Sequence, residues 1–481
     1  MSTPALRRDE LRVILGLGGV YGLRMLGLYM ALPVLATWAA TFEDWTPFRV
    51  GLCVGAYGLT QAIFQIPFGR LGDVFGRRRV IFASLLLFAA GSAIVATAAS
   101  INQVVLGRLV QGTAAMASTM IALVGDVTRE EVRTRAMALI GVPLGLCFAA
   151  GFVFGPIAAD RVGVPSIFWL ACWLSVVGAA MIPLAVPSRL VPRRHREPGV
   201  ASPGAEATWS WDDARALLGQ PSLLVLDAGI CVLHACVTGV LVVVPFLMRS
   251  FIPNDRDLWR VYGPAVVAGI VAMAWASRQA ENPKRVKRVI RLSALALTTS
   301  LVVFTLFHDR LGWVVIALML FVAGFGMLEP VLTALVTRYV RRGARGTAAG
   351  VFNLSQFAGA FGGGLLAGWL LGVGRWAPFA AMACLVITWY GSLHRLRDPS
   401  GLALSEIPAP GVDPDSWPRL HRLLLSHPAV LEADWAARDL VTVSHWVERG
   451  SAQEIATIVA RAVRPIVPAP DGATSGGGAP V

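Results

Sequence analysis

Apolar residues in this chain fall in long runs, with neither the alternation of a half-buried strand nor the one-sided spacing of a helix on a water-facing core. The runs are Leu11–Trp38, Val50–Phe68, Val80–Ala99, Val104–Val124, Ala136–Ala158 and Val164–Val186, then Leu223–Met248, Trp259–Ala276, Val289–Phe307, Trp313–Val336, Thr347–Leu371 and Trp376–Leu393. Most are long enough, as helix, to cross about 30 Å of hydrocarbon; Trp259–Ala276 is short and contains Pro264. The pattern predicts an all-α polytopic membrane protein of twelve transmembrane helices in two six-helix halves, residues 1–187 and 221–395. A polar linker rich in Pro, Gly, Arg and Glu joins them over 188–220.

After a second linker, 396–415, the pattern changes to shorter periods. A helix is predicted at Trp417–Ser426, strands at Ala429–Trp435 and Leu440–Val447, and a helix at Ser451–Val463. This α-β-β-α order predicts a small ferredoxin-like α+β module over 416–467, lacking or borrowing an edge strand. The stretch 468–481 is low in complexity and is expected to be disordered.

Composition agrees with the pattern: of 481 residues, 56% are hydrophobic and 15% charged, and the mean hydropathy is +0.64. The net charge of +13 is placed for topology and not for nucleic acid. Arg70, Arg77, Arg78, Arg79, Arg129, Arg133, Arg135, Arg278, Lys284, Arg285, Lys287, Arg288, Arg338, Arg341, Arg342 and Arg345 crowd the even-numbered loops of each half. The opposite loops carry only Arg49, Arg161, Arg249, Arg256, Arg260, Arg310 and Arg375. The positive-inside rule then puts both termini and the 188–220 linker in the cytoplasm. Arg7, Arg8 and Arg12 before the first run imitate a leader, but the run is too long for one, so it is read as the first span. The six cysteines lie inside apolar runs without a CxxC, so no metal site, disulfide framework or cofactor is expected.

The most specific signal is Gly69-Arg70-Leu71-Gly72-Asp73-Val74-Phe75-Gly76-Arg77-Arg78-Arg79, between the second and third spans. Gly69 permits close helix approach and Gly76 a tight turn, while Asp73 suits a helix N-terminus and Arg77 suits carboxylates. The segment resembles the G-x-x-x-D-x-x-G-R-[KR] motif of the major facilitator superfamily. Arg108-x-x-Gln111-Gly112 resembles the family's fourth-helix arginine motif. Gly141, Gly145, Gly151 and Gly155-Pro156 resemble the glycine-proline helix of its proton-driven exporters, although Ala159-Asp160 stands where paired glycines usually end that pattern. A loose internal repeat, Thr128-Arg129 to Ala138 against Thr337-Arg338 to Ala348, fits two parallel halves.

Leu23-Arg24-Met25-Leu26-Gly27, Tyr57 to Gly69, Leu123-x-x-Asp126-x-Thr128-Arg129-Glu130 and Ser355-Gln356-Phe357 are similar to the YajR branch of that superfamily, as is the C-terminal module. The resemblance implies a proton-coupled antiporter of the bacterial inner membrane that exports small drug-like compounds. It also implies that Asp73, Arg77 and Asp126 form a cytoplasmic charge latch favouring the outward-facing state.

Charged or titratable groups within the runs are candidates for function because burying them in a membrane is unfavourable. Arg24 either faces a cavity or makes a buried helix–helix contact, and Arg108 either binds an anion or neutralises a carboxylate. With no Asp or Glu in the middle of the first span, they point to anionic or neutral substrates. The candidates for proton coupling are His234, otherwise a satisfied buried histidine, and Glu329, otherwise the structural partner of a nearby arginine. Gln61, Gln65, Asn353 and Gln356 either line the substrate cavity or pair between helices. The two lysines lack a Walker A context, and no enzymatic constellation is present, so an ATP-driven pump and an enzyme are excluded. A facilitator, a proton-coupled importer and a transporter-like sensor share these features and stay open. The expected partners are a small-molecule substrate, protons and the bilayer, with a regulator as a further partner for the module.

Overall fold

The computed structural model describes residues 6–129, 132–186, 211–341, 344–409, 412, 416–437 and 440–463. The low-complexity tail, most of the 188–220 linker and Arg342 lie outside these residues. The described chain forms two compact units, divided between Arg397 and Asp398.

The first unit is helical. Its first half contains α1 (Arg8–Ala39), α2 (Pro47–Phe75), α3 (Arg77–Ala96), α4 (Ile101–Thr113), α5 (Ala117–Val127), α6 (Arg133–Val162) and α7 (Val164–Ala185). A short α8 (Trp211–Leu218) lies within the expected linker. The second half contains α9 (Pro221–Phe251), α10 (Trp259–Ala280), α11 (Pro283–Phe307), α12 (Leu311–Arg338), α13 (Arg345–Leu371) and α14 (Ala377–Ser392). Counting α4 and α5 as one span, twelve helices among the described residues are long and apolar enough to cross a membrane.

Local chemistry sets the helix ends. Thr46 accepts from the Arg49 N–H before Pro47 opens α2, and Ser100 caps α4 through Gln103. Asn282 caps α11 through Lys284, with Pro283 in its first turn. Gly76 has φ +94°, a left-handed conformation that lets α2 stop and α3 begin in the next residue.

The fourth span, expected as one run, is broken at Ala114–Met116. The cause comes from another helix. Arg24 of α1 donates through Nη2 to the Ala114 carbonyl at 2.9 Å, and the Met116 N–H donates to it at 2.9 Å, replacing the bond that an unbroken helix would make there.

Small residues set the packing, as expected where no hydrophobic effect drives helices together. The first half of α2 lies on α13 along a seam of Gly51, Gly55, Gly58, Gly364 and Gly368. A Cβ on Gly364 would sit 2.7 Å from the Gly51 carbonyl oxygen. At the same end of the bundle a 3₁₀ turn, Asp255–Leu258, leads into α10, and Tyr262 meets Phe152 of α6 edge-on at 5.9 Å. The two halves therefore join at the end remote from the Gly69–Arg79 loop. Towards the other end of α6, Val142 and Leu146 are exposed and Gly141 and Gly145 have no atom near an added Cβ.

The second unit contains β1 (Leu402–Pro408), α15 (Trp417–Ser426), β2 (Val430–Ala437), β3 (Leu440–Trp446) and α16 (Ala452–Val463). The sheet is antiparallel in the order β1-β3-β2, with Ile407 opposite Val441 and Ser405 opposite Val443. Leu420 and Leu424 of α15 and Ile455 and Val459 of α16 close over Val441 and Val443. The order is that of the first five elements of a β-α-β-β-α-β ferredoxin-like unit. The edge strand absent from the sequence-based expectation is β1, inside the stretch read as the 396–415 linker.

Candidate functional site

The loop 2–3 residues come together as the spacing requires. Arg77, in the first turn of α3, pairs with Asp73 at 3.2 Å and with Asp126 of α5 at 2.8 Å. It also donates to the Ala122 carbonyl. One guanidinium thus ties the ends of α2, α3 and α5. Gly69 faces Ser118 across the α2–α5 contact, where Ser118 donates to the Gln65 carbonyl. A turn away, Arg129 grips Glu10 of α1 with its backbone N–H, Nε and Nη2, a clamp the sequence reading did not single out.

In the second half three polar side chains from three helices converge. His234 (α9), Glu329 (α12) and Gln356 (α13) lie along apolar runs far apart in sequence. The Gln356 amide nitrogen is 2.8 Å from His234 Nε2 and donates to Glu329 Oε1 at 3.3 Å. His234 Nδ1 lies 3.3 Å from the Ile230 carbonyl, which fits the tautomer that carries its proton on Nδ1 and accepts from Gln356 on Nε2. Glu329 Oε2 is 3.7 Å from His234 Nε2 and has no hydrogen-bond partner. Phe325 packs edge-on against the imidazole at 5.9 Å. The arrangement holds a base, an acid and a bridging amide in one row, which suits the uptake and release of a proton.

Arg24 and Arg108 are fully buried on either side of Tyr57. Arg24 Nη2 is 3.3 Å from the Tyr57 hydroxyl, and its guanidinium lies 4.7 Å from the centre of the Phe88 ring. Arg108 stands 5.0 Å from the Tyr57 ring centre and donates to the Cys53 carbonyl and to Gln111. Among the described residues neither arginine pairs with a carboxylate, and Arg24 Nε and Nη1 have no partner. Tyr57 is therefore the hub of the first half. Its sequence signals are a hydroxyl in the middle of an apolar run and its place at the start of the Tyr57–Gly69 segment that carries the family resemblance, neither of which points to the two arginines.

The remaining candidates divide. Gln61 and Gln65 are buried and bond each other at 3.3 Å. Asn353 is half-buried on α13, three residues before Gln356. Gly151 and Gly155, with Pro156 beside them, serve the α1–α6 contact: a Cβ on Gly151 would lie 2.6 Å from that of Tyr29.

Residues 17–364 match the family described as Major Facilitator Superfamily. The chain is 35% identical over 405 residues to the inner membrane transport protein YajR of Escherichia coli K12, covering 83% of this chain and 87% of that protein. It is 26% identical over 369 residues to the class G tetracycline resistance protein of Vibrio anguillarum, covering 71% and 87%. Among solved structures, it resembles a bacterial homolog of the human lysosomal transporter Spinster, in an inward-facing conformation. That match has TM-score 0.60 and 15% identity and covers 82% of this chain and 95% of that one. With twelve spans in two halves, the loop 2–3 motif and this breadth of similarity, the chain belongs to the major facilitator superfamily, a multi-pass membrane transporter and not an enzyme.

Proposed function

We propose that the chain is a proton-coupled antiporter of the bacterial inner membrane that exports small drug-like or metabolite compounds by alternating access. The observation that carries this reading is the His234–Gln356–Glu329 row. A proton arriving at His234 Nε2 displaces the Gln356 donor and turns the 3.7 Å approach to Glu329 into an ion pair. A proton arriving at the carboxylate removes that attraction. Each event changes how α9, α12 and α13 hold one another, and the seam between the halves runs along α13. Coupling is limited by the difference in affinity between the two states.

The positive-rich loops and both termini are assigned to the cytoplasm. The closed end, at the α2–α13 seam, then faces outward, so the conformation is inward-open. Arg77, held by Asp73 and Asp126, is the latch that sets the balance between states. Substrate passes the half-buried Asn353 and Gln356, while Gln61, Gln65, Arg24 and Arg108, buried in this conformation, give the first half a polar and positive interior. A regulator is the further partner proposed for the second unit. The similarity to a tetracycline resistance protein supports export, and that to an inner membrane transport protein supports the location.

The test is reconstitution in vesicles with an internal pH dye and candidate lipophilic compounds added across an imposed proton gradient. Substrate-evoked proton movement, lost in Glu329→Gln and His234→Ala, is the expected result. Ligand flux without proton movement would leave a facilitator, and binding without flux a sensor.

A further inference from the structure

The seventh span carries another ionisable group that neither the proton-coupling row nor the latch uses. Asp227 lies on α9, seven residues before His234. Seven residues are almost two full turns, so the two side chains share a face of the helix, about 10 Å apart along its axis. Asp227 is half-buried, as are Cys231 and His234 on the same stripe. The basic loops at this end of the bundle would suit it as the acid of a structural ion pair. Yet among the described residues it has no hydrogen bond, ion pair or other electrostatic partner.

The groups around it are few. On α13, Gly359 packs on Cys231 and Gly363 on Ala235, a constant register that sets the half-buried Ser355 at the height of Asp227. After Arg345 α13 has no charged residue, and α14 has none. α12 has only Glu329 before Arg338, and α2 has none between Arg49 and Arg70. α1 has only Arg24 after Arg12, and that is held at Ala114. Arg215 of α8 is exposed. The chain after α14, with His394, Arg395 and Arg397, meets α9 on the side away from Asp227, where Trp389 Nε1 donates to the Val225 carbonyl and the Arg397 N–H to Ser222.

The register on α13 also fixes the depth. Gly364 and Gly368 lie in the closed α2–α13 seam, and Cys231 and then Asp227 lie successively further from it. Asp227 therefore stands between the His234–Gln356–Glu329 row and the end at which the halves are apart. A carboxylate inside a span is unfavourable to bury, and chains of Asp, Glu and His groups are what membrane proteins use to carry protons. We propose that Asp227 is the relay through which a proton leaves the row for the cytoplasm, an inference that rests on the proton-coupled reading above. An N–H bond at His234 or an O–H bond at Glu329 breaks, and an O–H bond forms at the Asp227 carboxylate through bridging water and the Ser355 hydroxyl. The neutral acid then gives its proton to bulk water.

The experiment uses the full chain in detergent without substrate. A light pulse frees protons from a caged acid, and infrared absorption follows the bands that Glu329→Gln and His234→Ala abolish. In the native chain these bands should grow as the row takes up its proton. Asp227→Asn should slow that growth on the order of a hundredfold, the worth of a positioned acid–base group, with final amplitude and Tm unchanged. Asp227→Glu should restore most of the rate, and added formate, a diffusible carboxylate, should speed Asp227→Asn in proportion to its concentration. A native rate in Asp227→Asn would overturn the relay and leave the row as the coupling site. Lost amplitude, or slowness that neither Asp227→Glu nor formate corrects, would make Asp227 a structural residue and overturn it too. If the native chain shows neither band at any pH, the proton-coupled reading itself falls, and the relay with it.

Discussion

Arg24 of α1 donates to the Ala114 carbonyl at 2.9 Å where the fourth span breaks, yet its Nε and Nη1 are buried without partners. A guanidinium held in this way is expensive: several kcal/mol of desolvation is met by two hydrogen bonds and an aromatic ring, with no carboxylate. Arg24→Met leaves the Ala114 carbonyl with the Met116 N–H as its partner, losing one charged hydrogen bond worth about 1.5–3 kcal/mol, but removes the unpaired buried charge. The expected outcome is unchanged or higher Tm with transport lost. A large drop in Tm would make Arg24 a structural clamp and leave it no separate role in transport.

Arg77 shares its charge between Asp73 and Asp126. Asp73→Asn removes one partner of a half-exposed pair, so little stability is lost, about 0–1 kcal/mol. The triad is formed here, in a conformation open at the loop 2–3 end, so a latch that favours the opposite state must hold more tightly in that state. On that reading the expected effect is a shift towards the form open at the loop 2–3 end. Labelling of a cysteine placed at Val142 should rise and labelling of one placed at Tyr262, buried against Phe152 at the closed end, should fall. Unchanged labelling at both positions would end the latch interpretation.

These two arginines also mark how far the sequence could be read. The spans were legible because long apolar runs have one solution in a bilayer, and Gly69, Asp73, Gly76 and Arg77 because their spacing is local. The break at Ala114–Met116 was not legible. No proline or glycine marks it within Ala114–Met116, and its cause is a side chain 90 residues away. His234, Glu329 and Gln356 could each be picked out as polar groups in apolar runs, but their meeting depends on the rotation of three helices. Strand β1 was hidden because Pro399 and Pro408 bracket it like a linker, and Ile407 and Ala409 at its end are its main contribution to the core.

In the second unit His445 is buried. Its Nε2 lies 2.9 Å from the Ser405 hydroxyl and its Nδ1 3.1 Å from the Gly450 carbonyl. Burial holds its pKa below the ordinary histidine value, and the Gly450 contact opposes this only in part. A depressed histidine contributes its full stability above the unfolded pKa, about 6.5, and loses it as pH falls towards the folded value. Hydrogen exchange of the β1 and β3 amides in the full chain, corrected for intrinsic rates, should therefore quicken between pH 7.5 and 5.5. His445→Gln should flatten that dependence. The same acceleration in the variant would assign it to other groups.

The α2–α13 seam gives the most direct handle on the two states. Gly364 faces Gly51 and Gly55 so closely that a Cβ would lie 2.7 Å from the Gly51 carbonyl oxygen and 3.0 Å from the Gly55 Cα. These are backbone atoms, which cannot turn aside like a flexible side chain. Gly364→Val therefore forces the helices apart wherever the seam is closed, an overpacking worth about 1–3 kcal/mol. The strain acts on this conformation and is relieved in one where α2 and α13 separate at that end. A bias of about 2 kcal/mol moves a balanced population roughly thirty-fold, so cysteine labelling at buried Tyr262 should rise steeply and labelling at Val142 should fall. This is the opposite of the Asp73→Asn pattern, and combining the two substitutions should restore a mixed population. If Gly364→Val lowered Tm without altering labelling at either end, the seam would be fixed structure common to both states, and the closure of the transporter would have to lie elsewhere.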